Sequence, residues 1–126
     1  MLLEALKPVF FVCRWPAEAD VPPQVWESAP VFVAYTDRER SFMLTAAVRE
    51  GLGVSRCEGP WRGFRIAEGL SFDMVGVLAK ISHVLAEAGI PLLAISTFDT
   101  DYVWVPAAQW GNAVHALTVA GFAWRK

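Results

Sequence analysis

The chain has 126 residues, 55% of them hydrophobic and 19% charged, with 13 acidic against 11 basic side chains. That size and apolar content suit one compact domain, or two half-size modules sharing one core, and exclude disorder. The charge balance lacks the Lys/Arg excess needed to grip phosphates, so no nucleic acid partner is expected. Arg56, Arg62 and Arg65 are interleaved with Glu58 and Glu68 and read as a mixed, solvated surface.

The opening run MLLEALKPVFFVCRW is apolar, but Glu4, Lys7 and Pro8 interrupt it, and no small-residue cleavage site follows. No export signal is expected. No stretch approaches the roughly eighteen uncharged apolar residues of a spanning helix, so the chain reads as soluble and cytoplasmic, with no membrane partner.

PVFFVCRW reads as a strand, and VFVAYT with SFMLTAAV as a hairpin across the charged turn DRER. Between them WPAEADVPPQVWESAP carries four prolines, which rule out a full helix there. EGLGVSRCEGP reads as a linker. Cys13 and Cys57 have no CxxC spacing, and only His83 and His115 could join them around a metal, so neither metal nor cofactor is expected. Buried free thiols are the expectation, with a single disulfide left open.

From residue 61 the punctuation becomes regular. WRGFRIAEG suits a strand ending on Gly69. Met74, Val77, Leu78, Ile81, Val84, Leu85 and Ala88 then recur at helical spacing, with Lys80, His83 and Glu87 on the opposite face. His83 and Glu87 stand four apart and read as surface support. Gly89 and Pro91 stop this helix. PLLAIS and DYVWV read as strands joined by a short turn. Pro106 opens a second helix with Trp110, Ala113, Val114 and Leu117 as its apolar stripe, Gly121 ends it, and FAW closes the chain as a strand. Residues 61–126 thus read β-α-β-β-α-β, an α+β ferredoxin-like module with two helices on one face of a four-stranded sheet. Residues 1–60 read as a shortened copy: a strand, a stunted connection and a strand pair.

The segments WRGFRI, LSFDMVGVLAKISHVLAEAGI, ISTFDTDYVWV and AVHALTVAGF, spanning Trp61 to Phe122, resemble the small tandem ACT proteins, whose amino acid sensing relatives include the cytosolic arginine sensor. STFDTD is the most distinctive of them. The resemblance implies an ACT domain over residues 61–126 and a truncated ACT-like half over 1–60. It also implies a regulatory protein that binds a free amino acid at a module or subunit interface. The implied ligand positions are Ser71, Phe72, Asp73, Met74, Val75 and Gly76 on one side, and Ser96, Thr97, Phe98 and Asp101 on the other. Met74 stands where the arginine sensor carries an acidic residue, which leaves a second cationic group without a partner.

Elementary electrostatics favours the same place. A helix beginning near Asp73 offers free backbone N–H groups and a partial positive charge to a ligand carboxylate, while Asp101 faces the ammonium. The alternative is that Asp73 caps its helix and Asp99 makes an Asx-turn. For Asp99 the turn is the expectation, and for Asp101 both readings stay open. Micromolar affinity corresponds to about −8 kcal/mol, whereas an exposed ion pair supplies about 0 to 1 kcal/mol. The ligand therefore needs a crevice covered by the first half or by a second subunit. Six tryptophans, with Trp15, Trp26 and Trp104 at strand or edge positions, leave more apolar surface than a small core hides, so a homodimer is expected. No HExxH, GxSxG or GxxxxGK[ST] motif occurs, and no enzymatic activity is expected. The competing reading is a ligand-free ACT fold that serves dimerisation or protein docking.

Overall fold

The computed structural model describes residues 1–27, 29–54, 56–68 and 75–126. Among the described residues eight strands and three α-helices make an α+β protein with mixed strand pairing. Among the described residues no helix is long and apolar enough to cross a membrane. The chain divides into two compact units, Pro8–Trp61 and Met1–Lys7 with Arg62–Lys126.

In the first unit, β2 (Phe10–Trp15), β3 (Phe32–Tyr35), β4 (Arg40–Thr45) and the start of β5 (Cys57–Ile66) pair antiparallel in the order β3-β4-β2-β5. Period-two alternation turns Cys13 on β2 and Phe42 and Leu44 on β4 inward, where Val25 joins them. Each such burial contributes about 1.5 to 3 kcal/mol. Val25 belongs to a 3-10 helix, Pro23–Glu27, which is the helix that the proline-rich connection forms among the described residues.

Two expectations for this unit are corrected. Residues 46–52, read as strand and linker, form helix α1 (Ala46–Leu52). The Thr45 hydroxyl accepts from the Val48 N–H at 3.4 Å, and Gly53 closes the helix in the left-handed region. Residues 57–60, the end of the supposed linker, are the first residues of β5. Cys13 and Cys57, expected as free thiols, are joined in a disulfide. The antiparallel register sets them directly opposite each other, with their Cα atoms 4.1 Å apart.

The second unit contains β1 (Leu2–Ala5), the end of β5, α2 (Val77–Glu87), β6 (Leu93–Ser96), β7 (Asp101–Pro106), α3 (Trp110–Val119) and β8 (Ala123–Trp124). Its strand order is β6-β7-β5-β1-β8. β1 runs antiparallel to β5, with Leu3 opposite Ile66, and parallel to β8, with Leu3 opposite Trp124. A strand from the start of the chain therefore separates β5 from β8. Its inward residue Leu3 is fully buried beside Phe64, Ile66, Ile81, Leu85, Val103, Val105 and Leu117.

α2 begins at Val77, later than the periodicity from Met74 suggested, because Gly76 occupies its N-cap with φ of 90°. That conformation cannot continue a right-handed helix. α2 and α3 end in the same way. Gly89 and Gly121 are left-handed, and the amide of the next apolar residue returns to the last full turn, Ile90 to the Leu85 carbonyl at 2.9 Å and Phe122 to the Leu117 carbonyl at 3.0 Å. These are Schellman caps whose hydrophobic residues, Ile90 and Phe122, close the core. On the other side of β5, Gly63 admits the buried Trp104 ring: a Cβ there would lie 2.5 Å from the indole.

Candidate functional site

The stretch ISTFDTDYVWV forms the β6–β7 hairpin, with Ser96 directly opposite Asp101. Threonines close its turn. The Thr97 amide donates to the Thr100 carbonyl at 2.8 Å, the Thr97 hydroxyl donates to the same oxygen at 2.9 Å, and the Thr100 amide donates to the Thr97 hydroxyl at 3.3 Å. Thr97, rather than Asp99, therefore supplies the side-chain bonds of the turn. Thr100 is buried, and its hydroxyl donates to the Ile66 carbonyl at 2.7 Å. Ile66 is the last residue of β5, so this bond ties the hairpin to the point where the chain leaves the sheet toward α2.

Alternation along β7 determines where Asp101 points. Val103 and Val105 enter the core with Ile81 and Leu85 of α2, so Asp101, two residues before Val103, belongs to the same face. The direction of α2 brings its start to the same end. The Gln109 side-chain amide donates to the Gly89 carbonyl at 3.4 Å, which sets the far end of α2 beside the residues that follow β7. Eleven helical residues rise about 16 Å, and six strand residues extend about 20 Å. α2 therefore starts near the end at which β7 starts. Gly76 at the N-cap brings no side chain to that helix start, and among the described residues none caps its first-turn N–H groups, which carry a partial positive charge.

Of the sequence-predicted positions, Gly76, Ser96, Thr97, Phe98 and Asp101 come to this end of the unit. Asp101 is half-buried and makes no ion pair among the described residues. Phe98, at the hairpin tip, is 82% exposed, and Val75 is 93% exposed. Ser71, Phe72, Asp73 and Met74 lie outside the described residues. His83 and Glu87 sit 3.8 Å apart on the exposed face of α2, as surface support requires. Cavities of about 400, 360 and 310 Å³ lie in the first unit, and none of the predicted positions lines them. Sequence reasoning missed Thr100, whose role depends on a carbonyl 34 residues away. The only local signal was its spacing from Thr97.

Of the three tryptophans expected to leave apolar surface, Trp104 is fully buried. Trp15 is half-buried, its indole N–H donating to the Asp20 carbonyl at 3.0 Å. Only Trp26, at 60% exposure, meets the expectation.

Two solved structures share the fold. Protein Atu0741 of Agrobacterium tumefaciens superposes with a TM-score of 0.86 at 23% identity, covering 98% of this chain and 91% of that one. VC0802 of Vibrio cholerae, a protein of unknown function described as a possible transport protein, gives a TM-score of 0.75 at 17% identity, covering 92% and 86%. A family model for the ACT domain matches residues 56–119, a span that takes in β5, α2, the β6–β7 hairpin and α3. The chain belongs to the ACT domain family.

Proposed function

We propose that the chain is a non-catalytic regulatory protein that binds a free α-amino acid at the end of the second unit where the β6–β7 hairpin meets the start of α2. In this reading residues 61–126 work as a ferredoxin-like ACT domain beside a truncated ACT-like half, akin to the amino acid sensing ACT proteins. The observation that carries it is Asp101: a half-buried carboxylate with no ion pair among the described residues, opposite Ser96, at the end where α2 opens on Gly76 with no side-chain cap among the described residues. The carboxylate takes the ligand's ammonium, and the first-turn N–H groups take its carboxylate. A second subunit covers the open side and excludes water, so the working form is a homodimer.

The setting proposed is cytoplasmic. The Cys13–Cys57 disulfide weighs against it, because cytosolic thiols are kept reduced. Counting free thiols in protein taken from cells decides between the two.

Calorimetry and thermal shift against the twenty amino acids test the site. At least one is expected to bind and raise the melting temperature, since a ligand that binds only the folded state stabilises it. Asp101→Asn is expected to weaken that binding by about tenfold or more with folding intact. Absence of any binder at millimolar concentration overturns the reading. A ligand-free docking module is the second reading, favoured by the exposure of Phe98 and Val75. A dimer that forms without any amino acid binder supports it.

A further inference from the structure

Two of the cavities in the first unit adjoin each other and share Arg14 and Arg56. One, of about 400 Å³, is lined by Arg14, Trp15, Pro16, Gly53, Val54 and Arg56. The other, of about 360 Å³, adds Val12, Ser41 and Glu58 to the arginines.

The strand register explains the pairing. Cys13 stands opposite Cys57, and one step further the Arg14 amide donates to the Arg56 carbonyl at 2.8 Å. Arg14 on β2 and Arg56, the residue just before β5, are thus set across from each other and line the same two cavities, with a disulfide one step away holding the two segments together. Like charges set opposite each other repel, so the pair lowers its energy by sharing an anion. Arg14 has a partial answer in Glu39, 3.3 Å away, but both side chains are more than 40% exposed, and such a pair is easily displaced. The Arg56 side chain has no hydrogen-bond or ion-pair partner among the described residues. Among the described residues no acid lines the larger cavity, where Trp15, Pro16 and Val54 make an apolar wall beside the arginines. Trp15 is held in place, its indole N–H on the Asp20 carbonyl at 3.0 Å and its ring 6.2 Å from Phe42.

We infer that Arg14 and Arg56, with the Trp15 wall, form a second ligand site that binds a carboxylate carrying an apolar body. Guanidinium forks match the two carboxylate oxygens, and the apolar body lies on the indole and Val54. Glu58 lines only the smaller cavity, so a zwitterion is disfavoured relative to a simple carboxylate.

Calorimetry with phenylacetate, benzyl alcohol and inorganic phosphate as probes tests the site on the full chain. Phenylacetate is expected to bind, with affinity falling as salt rises, while benzyl alcohol and phosphate each bind more weakly by about tenfold or more. Arg56→Gln is expected to remove most of that affinity without lowering the melting temperature, because the exposed Arg56 side chain has no hydrogen bond or ion pair to lose among the described residues. Arg14→Gln serves as the second variant. Phenylacetate binding that survives both substitutions, or that benzyl alcohol matches, overturns the inference, as does an absence of binding at millimolar concentration. Phosphate binding as tightly as phenylacetate removes the apolar wall from the account and overturns the assignment to carboxylates.

Discussion

The two units of this chain solve the same packing problem with different means. In the second unit two helices close over the sheet, and among the described residues eleven buried side chains from β1, β5, α2, β7, α3 and the residues capping both helices form one cluster. In the first, one seven-residue helix and a 3-10 helix cover the strands, and four buried residues, Cys13, Val25, Phe42 and Leu44, make the corresponding cluster among the described residues. A unit of some fifty residues with so small a core is marginal by burial alone. The Cys13–Cys57 crosslink stands where the second unit has a second helix. What apolar area does in one unit, a covalent bond that restricts the unfolded chain does in the other.

The largest effect that would break this comparison is loss of the disulfide. It spans 44 residues of sequence, and the chain-entropy relation assigns a loop of that size about 4 kcal/mol. The Cys13→Ala/Cys57→Ala variant should lose hydrogen-exchange protection in β2 and β4 while α2 and α3 keep theirs. Unchanged protection in β2 and β4 would show that the small core suffices. The second unit should instead be sensitive to cavities. Leu85→Ala, at a fully buried position that also anchors the Ile90 cap, should cost about 3 kcal/mol by denaturant unfolding. A cost under about 1 kcal/mol would mean that the core collapses into the void and is looser than its burial implies. The finest probe is Thr100→Val, which removes the bond to the Ile66 carbonyl without changing side-chain volume. It should cost about 1 kcal/mol, and the same variant should weaken amino acid binding if the hairpin must be tied to β5 for the site to form.

The units also differ in how well they could be read from sequence. LAEAGI and LTVAGF, residues 85–90 and 117–122, repeat one pattern, a leucine followed at fixed spacing by alanine, glycine and an apolar residue, and both fold into the same helix end. Such stops are local, and so is the periodicity of α2 and α3. The first unit offered fewer local signals. TAAVREGLG contains a threonine cap and a closing glycine, yet the preceding strand pattern SFML masked the helix that follows. The start of α2 was displaced for a comparable reason: apolar spacing continues back to Met74, whereas one left-handed glycine at position 76 delays the helix to Val77.

The sequence by itself determined the order of strands and helices from residue 61 onward, the two glycine stops, and the short turn before Asp101, because each depends on residues within a turn or two of one another. Tertiary structure alone decided that Leu2–Ala5 lies between β5 and β8, that Cys13 meets Cys57, that Thr100 reaches Ile66, and that Arg14 and Arg56 stand side by side. Each of these joins residues tens of positions apart through strand register. A shift of one residue in register would turn the same side chains to the opposite face, and no nearby pattern in the chain specifies that register.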